Sequence, residues 1–104
     1  MAETVGRLYN LPPDDPAVAS EYGAMLLAQN QPARALAEFG RALALNPGDA
    51  KAVSNRGTAL AALGQTVAAR QDFRRALEMD PCLAGARENL KQLGEPAPAQ
   101  KPCP

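Results

Sequence analysis

The chain has 104 residues, with 11 basic and 11 acidic side chains, no histidine, two cysteines and 4% aromatic residues. That balance argues against a nucleic-acid surface, which needs a basic stripe, against a zinc site built from histidine and cysteine, and against a disulfide framework. No run of 18 apolar residues occurs, so no membrane-spanning helix is expected; the opening "MAETVGRLYN" has no basic segment followed by an apolar one, so no secretory signal is expected and a cytoplasmic location is.

Alanine is the commonest residue, which suits closely packed helices and gives a sheet little to grip. Pro13, Pro47 and Pro81 stand at intervals of 34 residues, and "ALALNP" is echoed by "ALEMDP". A repeat at such a period decides the architecture. In the first segment, Val5, Leu8, Tyr9 and Leu11 match the apolar slots of a unit's second helix. Residues 3–11 are therefore expected to form a half-repeat covering the first full unit, the alternative being that residues 1–15 are a flexible lead-in.

The first full unit is residues 16–49. Asp15-Pro16 is a start signal, a capping acid before proline at the first helical position. Helix A should run to about Gln29 with Val18, Tyr22, Met25 and Leu26 at helical spacing, and Asn30 should end it. Pro32 opens helix B, expected to turn Ala35, Leu36, Phe39, Ala42, Leu43 and Leu45 inward before Pro47 stops it. Residues 50–83 repeat the pattern without a gap: Gly23 meets Gly57, Leu26 meets Leu60, Ala35 meets Ala69, Phe39 meets Phe73 and Leu43 meets Leu77. Asp49 should cap the second helix A, Gly64 should turn the chain after Leu63, and Thr66 is the expected cap of the second helix B. The glycines and alanines allow close helix crossing, and the two phenylalanines are expected to fill the gap between one helix pair and the next. In residues 84–94 the stripe Leu83, Ala86, Leu90 and Leu93 opposes Arg87, Glu88, Lys91 and Gln92, as a solvating end helix requires. The tail, 95–104, is rich in proline and alanine and is expected to be extended and flexible.

With this spacing and these shared residues, positions 16–94 resemble the tetratricopeptide repeat, a 34-residue helix-turn-helix unit. The family's tryptophan slot holds Ala19 and Val53, its tyrosine slot Leu26 and Leu60, and its leucine slot Tyr22 and Arg56. The resemblance implies an all-α fold, a right-handed α-solenoid of antiparallel helix pairs, with five helices, or six if the lead-in is helical. It implies a protein-interaction module whose A helices line a concave groove for an extended peptide or a partner helix. The groove positions would include Glu21 in the first unit, Lys51, Asn55 and Thr58 in the second, and Asn89 and Gln92 in the last helix, among small residues and Ser54. Asn55 and Asn89 are one period apart, as in the family's asparagine ladder, with Glu21 in the first rung. Some members instead clamp a C-terminal carboxylate with cations and asparagine. Asn55 matches that set, but Ser20, Ala24, Gly85 and Asn89 occupy the other places.

Other residues have simpler readings. Arg56 is expected to lay its stem over the core and keep its charge in water. Arg70, Arg74 and Arg75, with Asp72 and Glu78 nearby, read as a solvated convex face. Cys82 reads as an incidental thiol, with a bridge to Cys103 through the flexible tail as the alternative that a cytosolic location disfavours, and Asp14 and Asp15 read as helix caps. No histidine, no serine beside a base and no glycine-rich phosphate loop is present, so no enzyme, cofactor or metal is expected. A protein or peptide partner is expected, and neither nucleic acid nor membrane. The alternative is an assembly element that self-associates, or docks into a larger complex, through the ends of the array.

Overall fold

Asp15 opens the first helix: its Oδ1 accepts from the backbone N–H of Ala17 at 2.8 Å and of Val18 at 3.3 Å, and Pro16 takes the first helical position. Two of the four N–H groups that every helix start leaves unpaired are thereby satisfied. The structure, a computed structural model, describes residues 15–94. The half-repeat expected over residues 3–11 and the tail from residue 95 onward lie outside them.

Five helices follow in order: α1 Pro16–Ala28, α2 Pro32–Leu45, α3 Ala50–Ala62, α4 Thr66–Met79 and α5 Ala84–Gln92. Among the described residues there is no strand. The fold is an all-α helical repeat. No helix of the described residues is long and apolar enough to cross a membrane.

The same turn chemistry is used twice. At the end of α1, Asn30 adopts φ 59°, its N–H donates to Leu27 O at 3.0 Å, and Gln31 N–H donates back to Leu26 O at 2.8 Å. At the end of α3, Gly64 adopts φ 80°, with Gly64 N–H to Ala61 O at 3.0 Å and Gln65 N–H to Leu60 O at 2.9 Å. Both are the left-handed cap that satisfies the last carbonyls and reverses the chain. The repeated prolines serve the other turn. Asp49 N–H donates to Asn46 O across Pro47 and Gly48, and Leu83 N–H donates to Asp80 O across Pro81 and Cys82. Proline sits second in each of these turns, where its fixed φ is already correct.

Asp49 caps α3 through a bond from Ala52 N–H at 3.1 Å. Thr66 does not cap α4: it is the first helical residue, the cap position is Gln65, and no side-chain cap bond forms. α2 likewise starts without a side-chain cap bond, at Gln31, and Pro32 at its first position has no N–H to satisfy.

Two apolar clusters form the core. In the first, Val18, Tyr22, Leu26, Ala35 and Phe39 of α1 and α2 meet Ala59 of α3; in the second, Leu43 and Val53 join Phe73, Leu77, Ala86 and Leu90. Each phenylalanine lies over the glycine of its own helix pair. A Cβ on Gly23 would stand 2.7 Å from Phe39 Cε1, and one on Gly57 would stand 2.8 Å from Phe73 Cε1. The glycines therefore make room for a ring. Leu45, expected inside, is 44% exposed, as is Met25, because both lie at the margin of the buried stripe.

Candidate functional site

The way neighbouring helices meet sets the curvature. α1 approaches α3 and α3 approaches α5, whereas no Cα of α2 comes within 8 Å of a Cα of α4. Alternate helices that approach on one side and splay on the other curve the array, with α1, α3 and α5 inside the bend.

On that inner side, Lys51, Asn55 and Thr58 share one face of α3 at spacings of four and three residues. Lys51 is exposed; Asn55 and Thr58 are half-buried. Thr58 Oγ1 donates to Ser54 O at 3.3 Å and lies 3.5 Å from Asn89 Nδ2, which donates to it from α5. Thr58, Ala61, Asn89, Gln92 and Leu93 line a recess of about 120 Å³ with Phe73 at its base. Three of the six expected groove residues, Thr58, Asn89 and Gln92, thus meet in one place. Asn55 stands one turn before Thr58 on the same helix, and Glu21 is exposed on α1. Ser54, expected in the groove, is buried at 7% exposure, and its carbonyl supports Thr58.

Asn89 uses one N–H of its amide on Thr58, and a side-chain amide has a second N–H and an acceptor oxygen to offer. The recess therefore combines neutral hydrogen-bonding groups with an apolar base, and no cation lines it.

The largest departure from the sequence reading is Arg56. Its Nε donates to Asp72 Oδ2 at 2.7 Å and its Nη2 to Asp72 Oδ1 at 3.0 Å, a two-pronged pair between α3 and α4. Asp72 is buried at 4% exposure. Arg56 is thus tied into the core margin rather than left in water, and Asp72 does not belong to a solvated face. The hydrogen bonds that Arg56 donates to Asp72 raise the Arg56 pKa above the ordinary arginine value; burial opposes that, and the carboxylate's charge adds to it. In the first unit the place of Arg56 is held by Tyr22, whose hydroxyl accepts from Arg34 Nη2 at 3.0 Å. Arg70 is also engaged, donating from Nη2 to Leu93 O at 3.1 Å, where a cation suits the end of α5. Cys82 is not a free thiol; its sulfur is engaged in a disulfide.

Helix pairs in register, a repeated left-handed cap and a ring seated over a glycine define a helix-turn-helix repeat protein of 34-residue period. The family profile described as Tetratricopeptide repeat matches residues 25–81, more than half of the chain. The chain belongs to the tetratricopeptide repeat family. No curated protein matches the sequence. Among solved structures it is similar to the first tetratricopeptide domain of Spaghetti (RPAP3) bound to the HSP90 peptide SRMEEVD. The TM-score is 0.80 at 26% identity, covering 89% of this chain and 74% of that one.

Proposed function

We propose that this protein is a peptide-binding interaction module that holds an extended segment of a partner along the inner faces of α1, α3 and α5. The observation that carries the reading is the recess between α3 and α5, where Thr58, Asn89 and Gln92 converge over a buried aromatic base. Membership of the family and likeness to a domain that carries a bound peptide support it. In this reading the module binds and does not catalyse, and Glu21, Lys51 and Asn55 extend the contact surface beyond the recess.

The bound segment need not end in a free carboxylate. Of the places of a carboxylate clamp only Asn55 matches, and Ser20, Ala24, Gly85 and Asn89 hold the others, so the groove offers amides and a hydroxyl to peptide backbone groups instead. Each such hydrogen bond contributes roughly 0.5–1.5 kcal/mol net.

Calorimetric titration of a partner peptide recovered by pull-down tests this reading. Asn55→Ala with Asn89→Ala should weaken binding about tenfold or more, while the melting temperature stays within a few degrees. The peptide SRMEEVD and its C-terminally amidated form provide a defined second probe, for which amidation should change the affinity little. Unchanged binding by the asparagine double variant, or strong dependence on the terminal carboxylate, would overturn the proposal.

A further inference from the structure

The outer side of the array has a second recess, independent of the groove. Because α2 and α4 splay apart, a space of about 280 Å³ opens between them, over α3. Gly40, Leu43 and Pro47 bound it on one side, Val53 lies beneath, and Arg56 and Arg75 stand on the other side. Nothing lies within 4 Å of where a Cβ on Gly40 would be, so that wall is open space.

The charge in this recess follows from a break in the repeat. In the first unit, Arg41 lies 3.8 Å from the carboxylate of Glu38, three residues before it. One period on, the corresponding pair would be Arg75 with Asp72. Both oxygens of Asp72 are already taken by Arg56. Arg75 is exposed and, among the described residues, makes no ion pair. The positive charge of Arg56 is offset by Asp72, so the recess holds the equivalent of one uncompensated cation beside an apolar wall.

We infer that this recess is a docking site for an acidic peptide segment, one that places a single glutamate or aspartate carboxylate on Arg75 and a neighbouring aliphatic side chain against Leu43, Pro47 and Val53. One net positive charge matches a monovalent carboxylate better than a phosphate dianion. The volume lies below the usual 300–1,000 Å³ of small-molecule sites, so one or two side chains fit and a cofactor does not. The site faces away from the inner groove, so the two segments can be held together.

Two-dimensional amide NMR of the full chain tests the assignment. The probe is an N-acetylated, C-amidated pentapeptide, Gly-Leu-Glu-Leu-Gly, compared with its glutamine counterpart and with inorganic phosphate. Shifts are expected at the amides of Gly40, Val53 and Arg75, at least fivefold weaker affinity for the glutamine peptide, and weaker binding of phosphate than of the acidic peptide. Arg75→Ala should reduce binding at least fivefold. Gly40→Leu fills the recess from a site with free space, so it should block binding while the melting temperature holds or rises. The inference is overturned by absence of binding at millimolar peptide, by equal binding of the glutamine peptide, by shifts confined to Thr58 and Asn89, by tighter binding of phosphate, or by variants that bind as the parent does.

Discussion

Arg56 and Asp72 hold the one place where two charges enter the packed margin between α3 and α4 of the second unit. Their burial is unequal: the Asp72 side chain is 6% exposed and that of Arg56 is 24% exposed. Removing one partner therefore has different consequences. Arg56→Leu leaves a carboxylate buried without its cation and should cost roughly 3 kcal/mol or more. Asp72→Leu leaves an arginine whose head can swing toward water, and should cost less. The double replacement should recover most of the loss, since a buried ion pair is often no better than an apolar pair of similar volume. Urea unfolding of the three variants measures these values; a loss in the double variant equal to the sum of the two single losses would show that the pair is not coupled. The pH dependence has a definite sign. Because the folded-state pKa of Arg56 is raised, its contribution is complete below the ordinary arginine pKa and is lost only as pH rises through the folded value. Arg56 should thus add no slope to stability between pH 6 and 9. Sequence reading left Arg56 in solvent because Asp72 is 16 residues away and no local spacing rule joins them. The available signal was a coincidence: a charge at an apolar slot of helix A and another on the inner face of the same unit's helix B.

At the scale of the element, three glycines in helix interiors look alike in the sequence and differ in their surroundings. Gly23 and Gly57 face the Phe39 and Phe73 rings at under 3 Å from their would-be Cβ atoms, whereas Gly40 faces nothing within 4 Å. Gly57→Ala must displace the ring and should destabilise by roughly 1–3 kcal/mol, despite alanine's better helix propensity. Gly40→Ala meets no such resistance and should stabilise by about 0.5–1 kcal/mol. Thermal melts of the two variants should move in opposite directions, and a shift of the same sign would refute the ring-over-glycine packing. Phe73→Ala removes the ring itself, which is 1% exposed, and should cost roughly 3–5 kcal/mol. That is a large part of the stability of a small domain, so loss of the cooperative transition in urea is expected. The helix ends were legible beforehand for a plain reason. Asp15, Asp49, Asn30, Gly64, Pro47 and Pro81 act through bonds within a few residues, so local chemistry suffices. Thr66 was misread because a threonine near a helix start signals a cap only when the chain enters extended, and here a tight left-handed turn precedes it.

Over the whole molecule, each helix pair offers an apolar surface that the next must cover, and α5 covers the last one. Leu90 and Ala86 are fully buried against the second cluster, and Arg70 ties the end of α5 to α4 through Leu93 O. Leu90→Ala should therefore cost about 2–5 kcal/mol, felt as unfolding of the second unit as much as of α5. Circular dichroism during a melt reads this; a loss confined to one short helix's worth of signal would mean that α5 docks as an independent appendage. The 34-residue period, the helical content and the family were determined by the sequence alone, because repeats contact mainly their neighbours and write the same short-range pattern twice. The tertiary structure decided what lies across helices. It brought Thr58, Asn89 and Gln92 to one recess, drew Arg56 onto Asp72, and left Arg75 beside an open space between α2 and α4. Those relations depend on how closely alternate helices approach, a quantity set by the summed packing of many side chains, and no spacing along one helix encodes it.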